Sequence, residues 1–345
     1  SHAVSYALVG YWTAYAKYHF SIEFFTSWLS LSAEKILPHK EVAELVSDIN
    51  REKLDILCPD FRVLNTNFIT DGKLIRFGLT NVKGIGESVL EKIIDKKVQV
   101  ERVLNKNLPE WNWLDVLFGF SDYVNSKAFT ALILAGGLDY LNLPRNTMVY
   151  EYDKWNQLTD KEKSWILNKH IEKSFVSLGE ALCGSAVIKK DGGAASNVNR
   201  LAKIKDIYKS LENPPYSIYD TPDRMAFEEN KLLGAAITCS VLDSCDTARA
   251  NTSLKEILEG KSEEYMAVAL EVKKIRIHTI AKGKSKGQKM AFLTVYDGQT
   301  ENDNVVAFSD SFKKYAPLLV EGNTVIIRLK RSDKGSLLVE AAYQC

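Results

Sequence analysis

Asn81-Val82-Lys83-Gly84-Ile85-Gly86-Glu87 is a hydrophobic-x-Gly-hydrophobic-Gly stretch, followed by Val89, Leu90, Ile93 and Ile94 at helical spacing. Two glycines at the mouth of a helix let the backbone turn tightly. They also leave amide N–H groups at the helix's positive end with no side chain in the way. That is the form of a helix-hairpin-helix element, whose amides can approach a phosphate and read no base. Lys83, Gly84 and Gly86 are therefore candidate contacts to duplex DNA. Two alternatives compete with this. A dinucleotide-binding turn needs a third glycine near position 89, where Val89 stands, and a parallel strand upstream. A plain turn before a helix needs nothing more.

Upstream of this stretch, residues 3–31 contain almost no breaker, and Tyr11, Trp12, Tyr15, Phe24, Phe25, Trp28 and Leu29 recur at helical spacing, which predicts helical core. A second helix is expected from about Pro38 to Asn50, with Val42, Leu45, Val46 and Ile49 on one face. The apolar pattern starts directly behind Ser1 and His2, without a polar lead-in, as in a fragment or a split half. Between Phe61 and Leu79 the sequence alternates, and Thr70-Asp71-Gly72-Lys73 predicts the turn of a small hairpin.

Downstream, a helical pair is expected from Trp113 to Leu141, stopping near Gly136-Gly137, and another helical stretch from Tyr150 to Ile171. Residues 184–199 have the small and polar content of an exposed, flexible loop. A last helix covers about Arg224 to Gly234, and beyond Glu264 the pattern changes to short alternating strands, which marks a domain boundary.

Those strands are Met266 to Ile277, Lys289 to Tyr296, Asn304 to Phe308, Thr324 to Lys330 and Leu337 to Ala342, with a helix near Ser311 to Leu319 between the third and fourth. The order suits an oligonucleotide-binding barrel. Residues 271–290 hold seven Lys or Arg (Lys273, Lys274, Arg276, Lys282, Lys284, Lys286, Lys289) against one Glu, concentrated where such barrels hold single strands. Phe292, Tyr296 and Phe308 are candidate stacking platforms for bases, although aromatics on barrel strands more often fill the core. An ordinary solvated turn is the other explanation of the basic loop.

Global charge is silent: 45 Lys plus Arg balance 44 Asp plus Glu, so a nucleic-acid footprint has to be a local patch. The five cysteines (Cys58, Cys183, Cys239, Cys245, Cys345) are odd in number and never form Cys-x-x-Cys, which suggests a reduced, cytosolic setting and excludes the usual zinc spacings. No uninterrupted apolar run approaches a membrane span. His2, His19, His39, His170 and His278 are scattered, and no catalytic triad or carboxylate pair stands in a suggestive spacing. Two-metal nucleotidyl transfer needs clustered aspartates, yet no Asp-x-Asp occurs and Glu301-Asn302-Asp303 falls in an expected turn.

Several stretches, in order and spread nearly end to end, resemble the alpha subunit of bacterial DNA polymerase III, the C-family of replicative polymerases. Ser1-His2-Ala3, Ser5-Tyr6-Ala7, Tyr11, Thr13-Ala14-Tyr15, Lys17-Tyr18-His19-Phe20 and Glu23-Phe24 resemble the family's fingers helix. Ile75-Arg76-Phe77-Gly78-Leu79 with Val82-Lys83-Gly84-Ile85-Gly86 resembles the entry to its tandem helix-hairpin-helix region. Ala131-Leu132-Ile133-Leu134-Ala135-Gly136-Gly137-Leu138-Asp139 resembles the second such unit, in which Lys127 is a further candidate duplex contact. Glu229-Asn230-Lys231-Leu232-Leu233-Gly234 is similar to the helix before the barrel, and Lys289 to Gly298 with Val305-Val306-Ala307-Phe308 to the barrel itself.

The resemblance implies an α+β multi-domain chain: a helical fingers remnant (1–65), a tandem helix-hairpin-helix region on duplex DNA (66–145), a helical connector (146–262) and an oligonucleotide-binding barrel on single-stranded DNA (263–345). His2 and Tyr6 would lie near the incoming nucleotide or primer terminus. Lys273, Arg276, Lys282, Lys284, Lys286, Lys289, Phe292 and Phe308 would meet the template strand. Primer-template DNA and an upstream polypeptide carrying the catalytic palm are the implied partners, with Mg and dNTP held at that palm and no cofactor or metal on this chain. Ser1 is one of the residues that can follow a protein-splice junction. The family usually has Pro where Ser21 stands, and residues 142–215 are unlike it. A sliding-clamp partner lacks a clear motif, because Gln157-Leu158-Thr159 has no aromatic anchor. The implied setting is the bacterial cytoplasm, with a phage- or plasmid-borne origin suggested by the chain stopping at the barrel. The rival readings are a stand-alone DNA-binding replication accessory protein and a protein-interaction module built on the barrel.

Overall fold

The computed structural model describes residues 2–32, 35, 38–260, 266–281, 285–298, 300–332 and 335–345. The chain divides into two units, residues 1–220 with 228–237 and residues 221–227 with 238–345.

The first unit begins with α1 (His2–His19), α2 (Ser21–Ser32) and α3 (Pro38–Arg51). In α3 the four apolar positions anticipated from spacing, Val42, Leu45, Val46 and Ile49, are the buried ones, and α2 buries Phe25 and Leu29 against the same core. The expectation of core fails for α1, which has no buried residue although it carries Tyr6, Tyr11, Trp12 and Tyr18. Helical spacing of aromatics reports a face able to pack, and whether a neighbour covers it is a tertiary fact.

Next come β1 (Ile56–Leu57), β2 (Ile69–Asp71) and β3 (Leu74–Arg76). The strands β2 and β3 form the anticipated hairpin, closing at Asp71↔Leu74 through Gly72 at φ +64°, while β1 adds in parallel along β3. Then follow α4 (Glu87–Leu104), α5 (Trp113–Phe120), α6 (Ser126–Leu134), α7 (Arg145–Trp155), α8 (Asp160–Lys173), α9 (Leu178–Cys183), α10 (Val198–Glu212) and α11 (Pro222–Leu233), the last supplying residues to both units. The helical stretch expected from Tyr150 to Ile171 comprises two helices, because Thr159 accepts a hydrogen bond from the Glu162 amide and Glu162 from the Thr159 amide, a capping box that restarts the helix.

The exposed-loop expectation for residues 184–199 does not hold throughout: Ser185, Ala194 and Ala195 are buried, and Ile188 bridges Ala195. Glycine is needed here for close approach, since a Cβ on Gly193 would lie 2.0 Å from the Val187 carbonyl oxygen.

All of α5 is buried, and Asp115 within it holds three elements together. Its carboxylate accepts from the Asn112 amide (2.9 Å), Lys106 Nζ (3.1 Å) and His170 Nε2 (2.9 Å). Burial by itself pushes this carboxyl up, but the hydrogen bonds from His170, Asn112 and Lys106 outweigh it and hold Asp115 below the ordinary aspartate range. An acid whose folded value lies below its unfolded one, about 3.9, contributes stability fully above that pH and loses it as pH falls through the folded value. Acid unfolding followed by tryptophan emission is therefore expected to show a loss of stability below about pH 4 that is shallower in Asp115→Asn. Equal slopes would contradict this.

The second unit contains α12 (Leu254–Leu258), β4 (Met266–Thr279), β5 (Lys289–Tyr296), β6 (Glu301–Ala307), α13 (Ser309–Tyr315), β7 (Thr324–Arg331) and β8 (Leu337–Gln344). The strands close into a barrel in the order β4-β5-β6-β8-β7, with α13 between β6 and β7. This is the arrangement of an oligonucleotide-binding barrel, and the fold class is α+β as expected. Closure falls to the long β4, whose residues 266–271 pair with β7 and whose residues 271–279 pair with β5. The irregularity between Val272 and Lys274 lets one strand serve both partners by bending there. Alternation does the rest: Ala291, Leu293 and Val295 of β5 are fully buried, while Phe292 and Tyr296 lie on the outer face.

Cys245 and Cys345, 100 residues apart, form a disulfide, which differs from the reduced state that the scattered cysteines suggested. The bond joins the segment before α12 to the end of β8, a pairing that local spacing does not announce.

Candidate nucleic-acid interface

The hairpin before α4 is anchored by its apolar residues and open at its glycines. Val82 and Ile85 are buried, whereas Lys83, Gly84 and Gly86 are exposed. The Lys83 amide donates to the Leu232 carbonyl (2.9 Å) and the Ile85 amide to the Val82 carbonyl (3.0 Å), which fixes the loop from both sides. Gly84 sits at φ +99°, a conformation that favours glycine, and a Cβ added at Gly84 or Gly86 would meet nothing within 4 Å. The N-cap of α4 is Gly86, which makes no side-chain cap. Among the described residues, the amides of Gly84 and Gly86 make no hydrogen bond. An 18-residue helix thus points its uncapped positive end and a lysine into open space, an arrangement fitted to a phosphate oxygen.

The second hairpin, residues 121–125 between α5 and α6, differs. Asn125 Oδ1 accepts from the Ala128 amide (2.9 Å), so the N-terminus of α6 is already capped, and the exposed Lys127 stands beside it. Lys96 of α4 lies 3.7 Å from the ring centroid of the exposed Tyr123 and carries its charge to the same hairpin. Sequence reading missed Lys96 and Tyr123, because their proximity arises between helices and no local signal marks it. Gly136 and Gly137 are buried; added Cβ atoms there would lie 2.5 Å from Arg145 Nη2 and from Leu132 Cδ1. Those glycines serve packing. Gln157-Leu158-Thr159 is likewise part of the fold, since Leu158 is buried and Thr159 caps α8.

His2 and Tyr6 are exposed on α1, with rings meeting edge to face at 4.9 Å. Burial of the anticipated aromatic contacts on the barrel is incomplete: Phe292 and Tyr296 are half-buried and Phe308 is 51% exposed. Arg276 pairs directly with Phe292 across β4 and β5, its guanidinium carbon 5.1 Å from the ring centroid. Lys273 lies 5.2 Å from the Tyr296 ring and also meets Glu271 at 2.8 Å. An open hollow of about 450 Å³ is lined by Arg276, Ile277, His278 and Phe292. The strand period of two, which puts residues 276 and 278 on one face, was the available signal for His278. Lys286 and Lys289 are exposed beside this face in sequence, and Lys282 and Lys284 lie outside the described residues.

Among the described residues no group of three or more His, Cys, Asp or Glu could hold a metal ion, and no helix is long and apolar enough to cross a membrane.

Comparison with known proteins agrees with this geometry. Residues 53–148 match the family model of the helix-hairpin-helix motif. The chain is similar over nearly its whole length to DNA polymerase III subunit alpha. Identity is 23% over 338 residues with the protein of Deinococcus radiodurans, covering 97% of this chain and 23% of the relative. It is 24% over 350 residues with that of Staphylococcus epidermidis, covering 100% of this chain and 28% of the relative. A 150-residue stretch is 30% identical to the Aquifex aeolicus subunit, covering 43% of this chain and 12% of the relative. The chain therefore spans about a quarter of the length of the curated relatives that it matches along its length.

Proposed function

We propose that this chain is the DNA-gripping portion of a bacterial-type replicative DNA polymerase. Duplex primer-template is held through a phosphate at Gly84, Gly86 and the first turn of α4, with Lys83 beside it and Lys127 at the second hairpin. Single-stranded template is held on the outer face of β4 and β5 by Lys273, Arg276, Lys286, Lys289 and Phe292, together with Lys282, Lys284 and Phe308. The observation that carries this reading is the exposed, uncapped N-terminus of α4 behind two open glycines. Phosphate contacts of this kind fix register and read no sequence, as template-directed synthesis requires.

The carboxylates that would bind magnesium and the incoming dNTP belong, in this proposal, to a palm on an upstream or separate polypeptide, and His2 and Tyr6 on α1 face its nucleotide or primer terminus. The exposure of α1 supports this, because a helix of 18 residues with Tyr6, Tyr11 and Trp12 in water gains little of the packing that usually stabilises helices. In this proposal the chain positions DNA and leaves the chemistry to its partner.

The test is primer-template binding by fluorescence anisotropy at low salt. Wild type should bind regardless of sequence and weaken steeply with salt, as counterion release requires. Gly86→Asp is the informative variant. Gly86 has φ −92° and ψ 171°, which aspartate adopts readily, and Asp is a favoured N-cap, so the fold should be unharmed or slightly stabilised. The carboxylate would nevertheless occupy the phosphate position, and affinity should fall roughly tenfold. Neutralising Lys282, Lys284 and Lys286 should flatten the salt slope by about one unit per lost phosphate contact. Undetectable binding by wild type at low salt would refute the proposal. In a parallel arm with Mg²⁺ and dNTPs, primer extension is expected only when the palm polypeptide is added. Binding without extension in that arm favours the stand-alone accessory protein.

A further inference from the structure

Residues 214–220, Pro214-Pro215-Tyr216-Ser217-Ile218-Tyr219-Asp220, join α10 to α11, and neither the hairpins nor the barrel accounts for them. Their backbone is pinned. The residue before α7 is Pro144, which has no side chain able to cap. The first two amides of that helix, Arg145 and Asn146, instead donate to the Asp220 carboxylate at 2.7 and 2.9 Å. Asn146 Nδ2 donates to the Tyr219 carbonyl (3.3 Å) and Thr147 Oγ1 to the Ile218 carbonyl (3.1 Å). Four hydrogen bonds from one helical turn thus hold residues 218–220.

Tyr216 and Tyr219 are 62% and 73% exposed. Tyr216 meets the buried Tyr150 edge to face at 5.7 Å, and Lys154 Nζ lies 4.7 Å from the same Tyr150 ring. Tyr150 is itself fixed through its hydroxyl, which donates to the Ser210 carbonyl at 2.8 Å. A ring held as Tyr216 is, with an ammonium on the same Tyr150 neighbour, loses little entropy on binding, and exposed rings with nearby cations are the combination single-strand binders use.

We infer that Tyr216 and Tyr219 form a stacking platform for unpaired DNA bases, with Lys154 beside it for the sugar-phosphate chain. The inference rests on the reading of this chain as DNA-gripping and adds a single-strand contact outside the barrel. Between residues 212 and 221 the exposed side chains other than the tyrosines are Glu212, Asn213, Pro215, Ser217 and Thr221. Apart from Pro215 these are polar, so little beyond the two rings is offered to the dry centre of a protein interface. Ring faces accept any base, whereas duplex DNA keeps its base faces stacked inside.

The full chain, with Tyr216→Ala/Tyr219→Ala, the paired Tyr→Phe variant and Gly86→Asp, is titrated with a single-stranded oligonucleotide carrying iododeoxyuridine, then irradiated and mapped. The alanine pair should bind the single strand roughly fivefold or more weakly per lost stack, the phenylalanine pair should bind nearly as wild type, and cross-links should fall on Tyr216 or Tyr219. Tryptophan-monitored unfolding should shift by no more than about 1.5 kcal/mol, the worth of the single Tyr216–Tyr150 ring contact removed. Wild-type single-strand binding that the alanine pair leaves intact, or cross-links confined to the barrel, would overturn the platform and spare the DNA reading. Failure of wild type to bind any DNA would remove the underlying reading instead.

Discussion

Glu229→Ala is expected to destabilise the helical unit by about 3–5 kcal/mol, the usual consequence of leaving one member of a buried ion pair without its partner. Arg145 is only 2% exposed and Glu229 fully buried. The guanidinium donates to both oxygens of Asp139 (2.8 and 2.6 Å), to the Leu134 carbonyl (3.1 Å) and to Glu229 Oε1 (2.7 Å). The other Glu229 oxygen accepts from the Ile237 amide at 2.6 Å. Truncation therefore deprives a buried cation of one of its carboxylates and removes the acceptor of a backbone amide. Glu229→Gln keeps the acceptor and should cost less, and pairing Glu229→Leu with Arg145→Met should recover much of the loss, because the desolvation of both charges disappears together. All six tryptophans of the chain precede residue 166, within the first unit, so urea unfolding followed by their emission reports this unit alone. A loss under about 1 kcal/mol, typical of exposed pairs, would show that water reaches the site.

Reduction of wild type, or the double variant Cys245→Ser/Cys345→Ser, should lower the stability of the barrel unit by up to about 4–5 kcal/mol, the chain-entropy value for a loop near a hundred residues. The cross-link spans 100 residues and encloses all five barrel strands. Its stabilisation comes mainly through the unfolded chain, which becomes less extended when its ends are joined. Thermal unfolding followed by far-ultraviolet dichroism should show the barrel transition moving down with reductant, while the tryptophan-reported transition stays in place. An unmoved barrel transition would mean that the bond does not restrain the unfolded chain.

Both predictions concern contacts between residues far apart in the sequence, and this separates what could be read early from what could not. The hairpin at residues 82–86 was legible because its chemistry is local: glycine at φ +99°, apolar anchors on either side, and a helix starting at once. The barrel was legible because a closed antiparallel sheet imposes a period of two on each strand, and the strand spans from β4 to β8 differ from expectation only at their ends. The basic cluster on β4 and the loop after it was also visible, since charge can be counted along a chain.

Closure, by contrast, was a tertiary outcome. The Cys245–Cys345 pair, the Arg145–Asp139–Glu229 network and the Asp220 cap on α7 join positions 100, 84 and 75 residues apart, and no periodicity carries such information. The exposure of α1 could not be read either, because an amphipathic stripe specifies a face that can be buried and not the surface that buries it. At residues 184–199 composition pointed toward solvent, whereas Gly193 is there because the Val187 carbonyl approaches too closely for a Cβ. The sequence by itself determined the local elements and the chemistry each can offer, since backbone preference and alternation act over a few residues. Only the tertiary structure decided which of those groups face water and which are spent on holding the fold, because burial depends on what the rest of the chain brings alongside.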